Sequence, residues 1–193
     1  MIKDEILNIT NEELDKIDLS QFKEVISEYY KQYFYLPSGE EHYRLLTKIS
    51  SFFNNINVID LGTHLCSSAV ALSYNNSNII HSFDIKDYDE SKDIKEKLTG
   101  SNIKFYTANI LQTNQDLLLS SPFIFIDVDH NGETEKQIIE CFKQNKYKGI
   151  TIWDDIYLHD GMRYFWNETC KDFEKYDISH IGHWSGTGLI IFE

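Results

Sequence analysis

Arginine is nearly missing from this chain. Arg44 and Arg163 are its only representatives, and Lys and Arg together number 18 against 31 Asp and Glu, a formal net charge of −13. A nucleic-acid binder needs a basic stripe that displaces counterions. No dense basic run is present, so nucleic acid is excluded as a partner, while a lone phosphate or sulfate group is not. Cysteine is scarce too. Cys66, Cys141 and Cys170 form an odd set without CxxC or zinc spacing, which predicts reduced thiols in a reducing compartment. No run approaches the ~18 apolar residues of a membrane span, and Met1-Ile2-Lys3-Asp4-Glu5 lacks the apolar core of a signal peptide. The expectation is a cytoplasmic protein without a membrane partner. Internal repeats and low-complexity linkers are lacking as well.

What is there is 193 residues at 41% hydrophobic, enough for one sizeable core. Residues 1–53 form a charged, helical extension, with helix starts at Thr10-Asn11-Glu12-Glu13 and Leu19-Ser20-Gln21-Phe22. An apolar stripe follows at Phe22, Val25, Ile26 and Tyr29-Tyr30. Pro37-Ser38-Gly39 breaks the chain, and residues 40–53 read as a further helix. This extension is expected to serve as core, lid or homodimer surface. From residue 54 onward strands and helices alternate. Strands are expected near 56–61, 79–84, 103–107, 122–128, 148–153, 177–183 and 187–192. Helices are expected near 66–74, 90–98, 113–119, 133–144 and 160–172. Five βα units and a closing hairpin imply a mostly parallel α/β sheet with helices on both faces and an antiparallel edge.

Three of these strands end in polar clusters: Asp60-Leu61-Gly62-Thr63-His64, Asp127-Val128-Asp129-His130 and Asp154-Asp155. Ligands of open α/β sheets bind at that carboxyl edge. Gly62 allows a sharp turn and close backbone approach, and the helix start after it offers free N–H groups. The fingerprint GxGxxG is absent, so NAD is poorly supported. Asp84, ending the second strand, stands where such folds hold a ribose. Asp127 and Asp129 share a strand face, and Asp154-Asp155 ends a strand expected ~4.8 Å away. Carboxylates so crowded need a cation or shared protons. Oxygen-only ligands favour a hard cation: Mg²⁺, or else Ca²⁺ or Mn²⁺. A bland alternative makes Asp154-Asp155 a helix cap.

From residue 41 to the C-terminus the chain resembles the class I S-adenosylmethionine-dependent methyltransferases. Asp60-Leu61-Gly62-Thr63-His64-Leu65-Cys66-Ser67-Ser68 is similar to their first motif, with Cys66 in place of the second glycine. The resemblance implies a seven-stranded Rossmann-like sheet in the order 3-2-1-4-5-7-6 with strand seven antiparallel. It further implies S-adenosylmethionine contacts from Asp60, Gly62 and Asp84, with Asn109 near the adenine. Tyr43, Thr63, His64, Ser68 and Asp127 join them as pocket candidates. Ile126-Asp127-Val128-Asp129-His130-Asn131, followed by Asp154-Asp155, is also similar to metal-dependent small-molecule and sugar O-methyltransferases. By that resemblance Asp127, Asp154 and Asp155 would hold Mg²⁺ or Mn²⁺, and Asp129 would be the general base with His130 its rival. The expected acceptor is a sugar, nucleotide-sugar or other polyhydroxylated small molecule. A catechol-like phenol is the alternative, as is a cofactor-binding domain without turnover, which Cys66 and Asn109 keep open. Tyr157, His159, Arg163 and Trp166 are candidates for the acceptor pocket. His180 and His183 are expected on the surface or sheet edge, and Trp184-Ser185-Gly186-Thr187-Gly188 is either a substrate-facing nest or a hairpin turn.

Overall fold

The central strands carry large apolar side chains on both faces, so each face needs its own covering layer. In the computed structural model, which describes residues 2–193 and so leaves Met1 of the extension outside, β1 is Asn57–Leu61, β2 Ile79–Asp84 and β3 Ile103–Thr107. Then come β4 Phe123–Ile126, β5 Gly149–Asp154, β6 Glu174–Asp177 and β7 Thr187–Phe192. They form one sheet in the order β3-β2-β1-β4-β5-β7-β6, with β7 alone antiparallel to its neighbours. The predicted order and direction are both observed.

The period of two in each strand sorts residues between two cores. Val58, Phe123, Phe125, Ile150 and Ile152 pack on one side with the helix Ser67–Leu72 and with Leu14, Phe34, Leu45 and Ile49 of the N-terminal extension. Ile59, Leu61, Ile124, Ile126 and Trp153 pack on the other with Leu118, Ile138, Phe142 and Met162 from later helices. The extension therefore shares an apolar core with the sheet. Its register is set by the helix Tyr43–Ser50, where Leu45, Leu46 and Ile49 are fully buried. Thr47 and Ser50 also donate from this helix to the carbonyls of Ala71 and Leu72, at 3.0 and 2.7 Å. Removing a side chain such as Phe125 from this core should cost roughly 3–5 kcal/mol.

Several boundaries differ from expectation. β6 ends at Asp177, where residues 177–183 were expected to be strand. Asp177 Oδ1 accepts from the Ser179 backbone N–H at 2.9 Å, an Asx turn that stops the ladder. The buried Ile178 and Ile181 that make the next stretch look strand-like plug a loop instead. β4 stops at Ile126, so Asp127 and Asp129 lie just past the strand. The expected stripe over residues 22–30 is a 3₁₀ turn at Ser20–Phe22 followed by turns, with a short helix at Lys31–Phe34. The helix expected near 113–119 is two short ones, Ile110–Thr113 and Gln115–Ser120. The last begins as Asp160–Tyr164 and widens into a π-helical stretch, Phe165–Thr169. Among the described residues no helix is long and apolar enough to cross a membrane, and all three cysteines are free and buried.

Candidate active site

A cavity of about 590 Å³ opens at the carboxyl edge of β1, β2, β4 and β5. One end is built on the first three strands. Gly62 (φ +102°) follows β1 so closely against β4 that a Cβ there would collide with the carbonyl oxygen of Asp127. His64 and Cys66 also take positive φ, +37° and +69°. Cys66 therefore holds the left-handed geometry suited to glycine while serving as the buried residue that immediately precedes the helix Ser67–Leu72. Asp84 ties this loop down: its two oxygens accept from the backbone N–H groups of His64 and Lys86, both at 3.0 Å. Asn109 caps the following helix by accepting from Leu111 N–H at 3.0 Å, a role that leaves its amide NH₂ uncommitted to the cap.

Gly62, His64, Asp84 and Asn109 line the cavity, whereas Asp60, Thr63 and Ser68 stand behind it. Asp60 is fully buried and accepts from Ser82 Oγ at 2.5 Å, and Ser82 in turn meets Thr63 Oγ1 at 2.7 Å. Burial outweighs those hydroxyl contacts and pushes the Asp60 carboxyl up to about 7. Its role is to hold the loop from behind.

The other end is a cluster of acids and imidazoles. Asp127 and Asp154 continue the face on which Phe125 and Ile152 sit, and the N-terminal extension covers that same face. Sheet parity therefore aims both carboxylates at Glu41-His42-Tyr43, just ahead of the helix Tyr43–Ser50. Asp154 Oδ1 lies 3.4 Å from Nδ1 of His42 and 3.4 Å from Nδ1 of His183. His183 Nδ1 is 3.2 Å from Asp155 Oδ1, and its Nε2 is 3.4 Å from Glu41 Oε1. His130 bridges Asp127 (Nε2 to Oδ1, 3.1 Å) and Asp155 (Nδ1 to Oδ2, 3.2 Å). Ser185 donates to Asp155 and meets His183 Nδ1 at 2.7 Å. Both His130 and Asp155 have positive φ, +53° and +56°, the kind of backbone strain that persists where surrounding structure over-determines it.

The electrostatics follow. Burial alone would depress His130, but Asp127 and Asp155 prevail and push it up to about 9. Burial opposes charge on His183 as well, and contacts with Asp154, Asp155 and Glu41 carry it to about 12. Asp154 would be raised by burial but is held well below the usual carboxylate range by His42 and His183. Asp127, desolvated and near Asp154, is pushed up despite His130. Asp129 is exposed at the rim, its Oδ2 accepting from Thr134 Oγ1 at 2.6 Å.

The sequence therefore pointed to Asp127, Asp129, His130, Asp154 and Asp155, and all five line the cavity with Tyr43. It missed Tyr30, Glu41 and His42, and it set His183 on the surface. His183 is instead largely buried in the β6–β7 connection, while its neighbour Trp184 is 72% exposed. The only local signal was the pair Glu41-His42 directly ahead of an amphipathic helix. Tyr157, His159, Arg163 and Trp166 do not line the cavity: Trp166 is core, Tyr157 donates to Asp177, and Arg163 pairs with Asp160. Ser185 makes the 184–188 segment face the site.

No protein-family model matches the chain, and no curated protein matches it in sequence. Solved structures do match in shape. The putative caffeoyl-CoA O-methyltransferase from Staphylococcus aureus superposes with a TM-score of 0.61 at 15% identity, covering 97% of this chain and 94% of that one. The fold is that of the class I methyltransferases. The O-methyltransferase TomG from Streptomyces achromogenes, in complex with S-adenosylmethionine, gives 0.58 at 12% identity over 95% and 99%. The methyltransferase PaMTH1 from Podospora anserina, bound to S-adenosylhomocysteine, gives 0.61 at 13% over 78% and 77%.

Proposed function

We propose that this protein is an S-adenosylmethionine-dependent O-methyltransferase acting on a hydroxyl of a sugar, nucleotide-sugar or other small polyhydroxylated molecule. One observation carries the reading: a single cavity joins a nucleoside-type end (Gly62, Asp84, Asn109) to an acid–imidazole end (Asp127, Asp129, His130, Asp154, Asp155). The Asp84 carboxylate has about four acceptor sites, so two backbone N–H groups leave room for ribose hydroxyls. The Asn109 amide suits an adenine edge. S-adenosylmethionine supplies an electrophilic methyl group on a sulfonium. The chain must orient a hydroxyl in line with that methyl and take its proton.

Asp129 is the better proton acceptor of the two candidates. His130, sandwiched between Asp127 and Asp155, is already an imidazolium at neutral pH. Both of its N–H groups face those carboxylates, so it holds Asp127 and Asp155 in place and does not take the proton. A polar, acid-lined end also suits a polyhydroxylated acceptor over a hydrocarbon one. The expected Mg²⁺ or Mn²⁺ would draw on Asp127, Asp154 and Asp155, yet each of these lies within 3.4 Å of an imidazole nitrogen. Mg²⁺ takes oxygen ligands, and the donors offered here are mixed, so the residues present do not fit it.

Calorimetry with S-adenosylhomocysteine, followed by S-adenosylhomocysteine release with nucleotide-sugars and glycosides, tests the proposal. Micromolar cofactor binding and turnover with at least one polyol are expected. No binding, with Asp84→Ala indistinguishable from the parent chain, would remove the cofactor reading. Binding without turnover on any hydroxylated acceptor would leave a domain that only holds the cofactor.

A further inference from the structure

We propose that His42, Asp154 and His183 form a binding site for one divalent transition-metal ion, with Glu41 as the outer carboxylate that orients His183. The ligand atoms of these three residues all lie within 4.8 Å of one another. Two edges of the triangle, His42 Nδ1 to Asp154 Oδ1 and His183 Nδ1 to Asp154 Oδ1, are 3.4 Å. A tetrahedral ion about 2.1 Å from each donor sets donors roughly 3.4 Å apart.

A second observation points to a ligand. His42 is 3% exposed and neither of its ring nitrogens has a hydrogen-bond partner, and Asp154 Oδ1 is likewise buried without one. Buried polar atoms are almost always satisfied. Here an imidazole and a carboxylate oxygen stop short of bonding each other while facing the same point. An ion at that point satisfies both.

The donor chemistry decides the class of ion. Two imidazoles and one carboxylate suit Zn²⁺, Co²⁺, Fe²⁺ or Ni²⁺ over Mg²⁺, Ca²⁺ or Mn²⁺, which prefer oxygen. With His183 Nδ1 on the metal, its Nε2–H faces Glu41 Oε1 at 3.4 Å, the carboxylate–histidine–metal arrangement that fixes ring orientation. The three ligands come from the N-terminal extension, the end of β5 and the β6–β7 connection. The ion would therefore clamp three distant segments over the cavity as well as offer charge to an acceptor oxygen. This goes beyond the proposed methyl transfer, because the ion is measured without cofactor or acceptor and either claim can fail alone.

The test uses the untagged full chain, stripped with a chelator and titrated with Co²⁺, Zn²⁺ and Mg²⁺ by calorimetry, with Co²⁺ absorption and metal content after gel filtration. One equivalent of Co²⁺ or Zn²⁺ is expected, bound at least about 100-fold more tightly than Mg²⁺, with visible d–d bands and a higher melting temperature. His42→Gln and His183→Gln should each weaken Co²⁺ binding by about 10- to 100-fold or more, whereas His180→Ala, an exposed neighbouring imidazole, should not. Should either Gln variant fail to fold, pulsed EPR of the Cu²⁺-loaded parent chain must still report ¹⁴N coupling from imidazole. Three results would overturn the site: no stoichiometric ion, leaving an imidazolium–carboxylate network only; Mg²⁺ bound as well as Co²⁺; or binding abolished by Asp127→Asn but untouched by both histidine variants.

Discussion

The two ends of the cavity are built in opposite ways. Around β1–β3 a short, strained loop does the shaping, and the polar side chains facing the cavity are spent on backbone, Asp84 on two N–H groups and Asn109 on a helix start, with Asp60 behind them on the Ser82 hydroxyl. Around β4, β5 and β7 the polar side chains are spent on one another, with four acids and three imidazoles within one cluster. The first end is preorganised by main chain and comes from contiguous sequence. The second is assembled from segments more than a hundred residues apart. Substitutions should accordingly change cofactor affinity at the first end and rate or ion binding at the second.

The largest expected effect lies at the second end. Asp129→Asn removes the proposed proton acceptor and should lower the single-turnover methyl-transfer rate by about 10²–10⁴-fold, while S-adenosylhomocysteine affinity stays within about twofold. An equal fall in both would erase the division between the ends.

Next comes a pH effect at the first end. Asp60 is raised in the folded chain to about 7 from an ordinary 3.8, so the folded state holds its proton longer than the unfolded chain does. A raised carboxyl favours folding at low pH and loses that advantage as pH climbs through about 4 to 7. Asp60→Asn cannot ionise. Its stability relative to the parent chain should improve by roughly 3 kcal/mol from pH 5 to pH 8, at 1.36 kcal/mol per pH unit across the window. A stability difference between the two proteins that stays the same at both pH values would show that Asp60 ionises as readily in the fold as in the unfolded chain.

Asp84→Ala takes away a carboxylate that both closes the loop and faces the cavity. Calorimetry should show S-adenosylhomocysteine binding weakened by about 10- to 100-fold, in the range of 1.5–3 kcal/mol for hydrogen bonds to a charged group. His183→Gln should leave that affinity alone. Cofactor binding lost in His183→Gln but kept in Asp84→Ala would invert the comparison.

The smallest effect is at Cys66. Glycine there relieves a left-handed backbone worth about 1–2 kcal/mol but empties a fully buried side-chain site. Cys66→Gly should therefore shift unfolding by no more than about 1 kcal/mol, whereas Cys66→Val, β-branched and larger, should destabilise measurably more. A large loss in the glycine variant would mean that the thiol's packing, not the loop's shape, keeps cysteine at this position.

The sequence by itself determined the sheet and half of the site. Apolar runs define the strands, and the four that close in Asp or Gly place Asp60, Asp84, Asp127 and Asp154 at one edge, because βα connections bring every parallel strand's end to the same side. It also misled where local pattern and long-range packing part company. Ile178 and Ile181 look like strand residues and are loop plugs, and His183 next to the exposed Trp184 looks like surface. Only the tertiary structure decided that Glu41 and His42, ahead of an N-terminal helix, meet Asp154 and His183. That contact depends on which face of the sheet the extension covers. Sheet parity and helix docking fix that choice jointly, and neither is written in the few residues around His42.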